Sequence, residues 1–228
     1  MNQVFDILEN LIRMIVSYWD IFLIKGLYYT LMLSMIAVFF GSILGSLLAI
    51  LKLKNIKILN IFINSYVELI RGTPILLQLY FFYLVLPNMI TFVSLSKFVC
   101  IAISLVINSS AYVSEIVRSG IQAVDKGQSE ASLSLGFDHR QTMIKIVFPQ
   151  AITNILPALG NEFIMIIKET SLASTFFIGD LMSAYRTVSG ATYLVIEPLI
   201  FVGLIYFILT FTLSKIVNKY EKRARVSI

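Results

Sequence analysis

Five apolar segments, at about 27–51, 59–86, 96–117, 151–177 and 193–214, constrain this chain more than any other feature. Each is long enough to cross a hydrocarbon core of ~30 Å, for which ~20 helical residues suffice. Lipid offers no water to backbone N–H and C=O groups, so such segments must be helices that satisfy their own backbone. Composition agrees. With 58% apolar and 14% charged residues and a mean hydropathy of +0.87, the chain has too little polar surface to coat a soluble globule. The reading is an all-α integral membrane protein of about five transmembrane helices, one domain over 1–228, with no separate soluble domain.

Residues 1–20 form an N-terminal amphipathic or lead-in segment. Phe5, Leu8, Leu11, Ile12, Ile15 and Trp19 recur at helical spacing, which suits either a helix lying in the interface or a lead-in to the first span. Asp6 and Glu9 precede Arg13, which is not the order of a secretory signal, and no processing is expected. The second apolar segment contains Pro74 and is long, so a kink or break is expected there. One cysteine, Cys100, and one histidine, His139, exclude a disulfide framework and a Cys/His metal cluster, and no cofactor is expected.

Lysine and arginine set the orientation, because loops rich in them stay in the cytoplasm. Lys52, Lys54 and Lys57 fill the first loop, Arg118, Lys126, Arg140 and Lys145 the third, and Lys215, Lys219, Lys222, Arg223 and Arg225 the C-terminal tail. Arg13, Lys25, Lys97 and Arg186 fall on the other side. That asymmetry places the N-terminus outside and the C-terminus in the cytoplasm. It also accounts for most of the +5 formal charge, and nucleic-acid binding is not needed to explain it.

Residues 118–150 are the longest polar connection. Asp125 with Gln128, and Asp138 with Gln141, have the spacing of capping boxes, and Gly136 between them suits the left-handed end of a helix. The pattern predicts helix, sharp turn, helix. On the first helix Ala131 and Leu135 share one face and Glu130 and Ser134 the next, making a compact knob for a partner's groove.

Glu130-Ala131-Ser132, then Gly136, then Ile146 and Pro149, resembles the EAA loop of ABC importer permeases. Ser132 stands where a second alanine is usual, a small-for-small change. Further matches resemble the permeases for polar amino acids. They are Gly26-Leu27, Thr30-Leu31 and Leu33-Ser34; Glu68, Arg71-Gly72-Thr73-Pro74 and Gln78; Ala111-Tyr112, Glu115 and Arg118-Ser119-Gly120-Ile121; and Asn161-Glu162-Phe163 with Lys168-Glu169-Thr170-Ser171-Leu172. The likeness runs from about residue 25 to 215. It implies the type I importer permease fold, with Glu130, Ala131, Ser132, Leu135 and Gly136 coupling the spans to an ATPase.

Ionisable groups at membrane depth cost at least ~2.5–3.5 kcal/mol on insertion scales, so each needs a partner, a watery cavity or a task. Glu68 and Arg71, three apart on one face, can neutralise each other; with Thr73, Pro74, Gln78 and Glu115 they are read as gating or structural, substrate contact being the other reading of the pair. Glu115 can snorkel or pair with Arg118. Residues 157–171 are the substrate candidate, because Pro157 and Gly160 can loosen the helix beside Asn161 and Glu162. Glu162 would take an ammonium or a basic side chain, with Asn161, Thr170 or Ser171 on the carboxylate and Lys168 a further candidate. The alternative is a Glu162–Lys168 pair across a permease dimer. Gly41 and Gly45 form a Gly-x-x-x-Gly pair suited to close helix packing or dimerisation.

The chain lacks a Gly-x-x-x-x-Gly-Lys-Ser/Thr phosphate loop and any catalytic triad pattern, so it is not expected to be an enzyme. The resemblance implies a permease subunit of an ATP-driven importer for polar amino acids, in the plasma (inner) membrane of a prokaryote. Its implied partners are a pair of ABC ATPase subunits, an extracytoplasmic solute-binding protein, a second copy or a paralogous permease, the amino-acid substrate and membrane lipid. A self-sufficient secondary transporter would instead show an inverted repeat and leave 125–150 without a role, while a membrane scaffold would not need charges at membrane depth.

Overall fold

The structure, a computed structural model, describes residues 2–54, 56–90 and 94–226. The side chains of Asp6 and Arg225, used above, lie outside the described residues. The described chain forms α1 (Asn2–Trp19), α2 (Leu27–Leu53), α3 (Lys57–Arg71), α4 (Ile75–Met89), α5 (Lys97–Gln122), α6 (Lys126–Ser134), α7 (His139–Thr142), α8 (Phe148–Glu169), α9 (Leu181–Thr192) and α10 (Ile196–Val226). π-helical turns occupy Asp20–Gly26 and Met143–Val147, and a 3-10 helix occupies Thr170–Phe176.

Among the described residues four stretches are long and apolar enough to cross a membrane: Ile7–Leu53, Lys97–Gln122, His139–Phe176 and Ile196–Arg223. A fifth arises if α3 and α4 are one broken span. The break falls at Gly72–Pro74, where Pro74 supplies no backbone N–H and opens α4 from an extended conformation. The sequence reading is corrected in two places. Helix runs unbroken from Asn2 to Leu53, more than twice the residues one span needs, and α9 occupies a stretch read only as connection.

The chain divides into two compact units built from interleaved segments. In the first (1–37, 74–105 and 165–212), Met14, Phe22, Leu181, Val188 and Val202 form a buried cluster, with Phe22 and Phe201 edge to face at 5.1 Å. Leu11, Ile15 and Tyr18 of α1 pack on it, whereas Phe5, Leu8, Ile12, Val16 and Trp19 stay exposed. α1 thus has two apolar stripes, one packed and one bare. Asp180 caps α9 through the Met182 amide at 3.0 Å, and Leu181 N–H donates to Thr30 Oγ1 at 3.1 Å. Burial pushes the Asp180 carboxyl up, opposed by the hydroxyl of Ser183 and neighbouring amides.

In the second unit (38–73, 106–164 and 213–228), α2 and α5 pack along a seam of small residues. A Cβ on Gly41 would sit 2.7 Å from Ser109 Cβ, and one on Gly45 would sit 2.6 Å from the Ser110 carbonyl oxygen. The Gly-x-x-x-Gly pair therefore serves packing within the chain. Beside the seam lie two apolar clusters, Ala49, Val113, Val117, Ala151 and Ile155, and Ile63, Val67, Ile70 and Ala111. The loosening expected at Pro157 and Gly160 is absent. α8 runs continuously from Phe148 to Glu169, and Gly160 lets Val217 approach, since a Cβ there would meet Val217 Cγ2 at 2.6 Å.

Candidate functional site

The connection from α5 to α8 folds as the capping signals predicted. Asp125 starts α6 by accepting the Gly127 amide at 2.6 Å, one position short of the expected Gln128. Asp138 and Gln141 form a full capping box at α7, with the Gln141 amide on Asp138 Oδ1 at 2.7 Å and the Asp138 amide on Gln141 Oε1 at 3.1 Å. Between them the chain reverses at Gly136, φ +89°. The Phe137 amide bonds the Ser132 carbonyl at 3.2 Å and the Gly136 amide bonds the Leu133 carbonyl at 3.0 Å, a Schellman ending that uses the last free carbonyls of α6.

One tie fixes α6 on α7. The hydroxyls of Ser132 and Thr142 are 2.9 Å apart and both residues are 4% exposed. Ser132 thus faces into the helix–turn–helix, while Glu130, Ala131, Ser134 and Leu135 face out, Leu135 at 79% exposure. The loop thus leaves a bare leucine beside a small alanine on a scaffold locked by its own hydrogen bonds.

Seven residues before the end of α5, Glu115 gathers three cations. Its Oε2 accepts Arg118 Nε at 3.0 Å and Nη2 at 2.7 Å, and lies 3.8 Å from Arg71 Nη1. Its Oε1 accepts Lys52 Nζ at 3.2 Å. The Arg118 pairing matches expectation. Arg71 corrects it: among the described residues no ion pair joins Arg71 to Glu68, and its guanidinium reaches α5, 5.4 Å from the Tyr112 ring centroid. Sequence spacing favoured the neighbour three residues away, but the close seam of α2, α3 and α5 brings Glu115 nearer. Glu68 is exposed and shares with Lys52, Asn64, Arg71, Glu115 and Arg118 a cleft of about 370 Å³. An adjoining cleft of about 650 Å³ is lined by Arg71, Tyr112, Glu115, Arg118, Asn154 and Glu221, among others. Lys52 was missed as a member of this cluster, because 63 positions separate it from Glu115.

The substrate candidates lie along α8 and the 3-10 helix after it. Glu162 is buried at 8% exposure, Asn161 and Lys168 are exposed, and Ser171 is half-buried. The Thr170 hydroxyl donates to the Ile167 carbonyl at 2.7 Å, so its proton is held within the chain. The Thr73 hydroxyl likewise donates to the Leu69 carbonyl at 2.9 Å, closing the end of α3, and Gln78 is buried in α4 while Pro74 is exposed. No group of three or more His, Cys, Asp or Glu side chains able to hold a metal occurs among the described residues.

Residues 40–226 match the model of the family described as "Binding-protein-dependent transport system inner membrane component". The chain belongs to this family. It is a permease subunit of an ABC transport system. It is 42% identical over 207 residues to a putative glutamine transport system permease protein of Rickettsia bellii (strain RML369-C), covering 91% of this chain and 94% of the relative. It is 37% identical over 204 residues to the arginine transport system permease protein ArtQ of Bacillus subtilis (strain 168), covering 90% and 93%. A crystal structure of an amino acid ABC transporter with histidines matches with TM-score 0.86 and 44% identity over 92% of this permease and 96% of that chain. The MetNI methionine transporter in an inward-facing form shares the fold alone, with TM-score 0.66 at 18% identity.

Proposed function

We propose that this permease moves polar amino acids into the cell as half of a dimeric pathway, driven by separate ATPase subunits that dock on residues 125–150. One observation carries the docking reading: a self-locked helix–turn–helix that presents Ala131 and a 79% exposed Leu135 on its outer surface. A docking element must keep its shape under load, and the Schellman turn, the capping box and the Ser132–Thr142 bond give this one internal rigidity. ATP binding would draw two such knobs together, and the spans would rock the solute cavity from outward to inward facing. Five spans are few for a complete pathway, which favours a route at a dimer interface.

The lysine and arginine distribution puts this loop and the C-terminus in the cytoplasm, so the solute-binding protein works from the other side. The relatives' glutamine and arginine names, together with a buried carboxylate at Glu162, support an amino-acid solute whose ammonium or basic side chain meets Glu162. Asn161 and Ser171 are the accompanying candidates for the carboxylate end and Lys168 a further contact, whereas Thr170 is fully buried with its hydroxyl proton on the Ile167 carbonyl.

Proteoliposomes carrying the permease with its cognate ATPase and binding protein provide the test. Labelled amino-acid uptake should require all three proteins and ATP, and should vanish when any one is withheld. Uptake by the permease alone, driven by a sodium or proton gradient, would replace this reading with a secondary transporter.

A further inference from the structure

We infer that Glu115 is a positioning residue whose carboxylate latches the ends of α2 and α3 to α5, so that α5 carries displacement of the α6–α7 knob to both helices. The inference rests on the docking reading above and adds the part that transmits it.

Lys52 and Arg71 stand in the last turns of α2 and α3, where the unpaired carbonyls of a helix end are negative and favour cations. A carboxylate brought directly against two such ends would be repelled. Glu115 meets the two ends through their cations, so removing its carboxylate leaves Lys52, Arg71 and Arg118 in a cleft whose remaining acid is Glu68. Glu115 and Lys52 are 18% and 14% exposed in their side chains, a setting in which charge-assisted hydrogen bonds exceed those between solvated partners.

The lever is short and stiff. From Glu115 the helix continues to Gln122, about 10 Å at 1.5 Å per residue, and Asp125 caps α6 three residues later. Arg118 spans this stretch, because it grips Glu115 on one side and bonds Gln122 Oε1 on the other. Val124 packs on the cluster of Val113, Val117, Ala151 and Ile155, so the exit from α5 cannot swing independently of the helix. On the receiving side, Arg71 is pinned between Glu115 and the Tyr112 ring directly before the Gly72–Pro74 break. A pull on α5 therefore arrives at the end of α3, directly before the Gly72–Pro74 break.

The test is the number of amino acids transported per ATP hydrolysed, in the full complex with its binding protein, for wild type, Glu115→Gln, Glu115→Asp and Lys52→Met. Glu115→Gln should assemble, keep ATP hydrolysis, and deliver at least about fivefold less amino acid per ATP. Glu115→Asp, which keeps the charge, should recover most of the ratio, whereas a purely structural role would track stability and not charge. Lys52→Met keeps the aliphatic stem and removes one cation, and an intermediate loss is expected. If Glu115→Gln does not assemble, Lys52→Met alone decides. An unchanged ratio in an assembled Glu115→Gln complex, or in Lys52→Met where that variant decides, overturns the latch and leaves the importer reading standing. A wild-type complex whose hydrolysis ignores the loaded binding protein would instead undo the importer reading itself.

Discussion

What Gly136 supplies that another residue would not is a backbone conformation: its φ is +89°, and a Cβ there would meet nothing within 4 Å beyond its chain neighbours. Gly136→Ala should therefore act through conformation alone, at ~1–2 kcal/mol for an L-residue held left-handed, and Gly136→Asn should cost less. We expect the alanine variant to lose ATP-driven uptake while the thermal unfolding midpoint in detergent barely moves, because the turn lies apart from the packed helices. Equal uptake in the glycine, asparagine and alanine forms would show that this turn does not set the shape of the knob. The position was legible in the sequence because its chemistry is local. Asp125, Asp138 and Gln141 were legible for the same reason, since a cap acts over two or three residues. The inward turn of Ser132 was not: its partner Thr142 is ten residues away, and only the folded loop brings the two hydroxyls together.

Long helices are easy to read from apolar runs, and the contacts between them are not. α2, α5 and α8 fell close to where hydropathy placed them and α10 runs on to Val226 through the stretch read as a tail, but the same hydropathy says nothing about which faces meet. Gly45 illustrates the difference. Its spacing from Gly41 allowed either a chain–chain or a within-chain contact, and the structure sets it against Ser110, Val113 and Ser114 of α5. Gly45→Ala should destabilise the permease by ~1–3 kcal/mol, since the Ser110 carbonyl is backbone and cannot yield without shifting the helix. Gly203→Ala, in open space on α10, should change stability little. Denaturant titration in micelles distinguishes the two, and equal stability of both variants would contradict the seam. The Glu68–Arg71 expectation failed on the same ground. A spacing of three guarantees neighbours on one helix, yet Arg71 ion-pairs with Glu115, on a helix packed alongside.

At the scale of the whole permease, an importer subunit of the proposed kind meets different proteins at opposite ends of its topology. In the proposed scheme the knob at Leu135 meets the ATPase and the α9–α10 turn at Tyr193, 90% exposed in a left-handed conformation, faces the solute side. Most of this scheme is legible without coordinates, because charge asymmetry between loops is a property of composition. Which surface is preformed for docking is not, since it depends on what the loop buries. The most direct measurement is thiol labelling of Leu135→Cys and Tyr193→Cys in oriented membranes with an impermeant reagent, with and without the ATPase subunits. The native Cys100, 1% exposed, should stay unlabelled. Leu135→Cys should react only from the cytoplasmic side and be protected by the ATPase, and Tyr193→Cys should react only from outside with no protection. Labelling of Leu135→Cys that the ATPase leaves unchanged, or that occurs from outside, would contradict the docking of the ATPase on this loop.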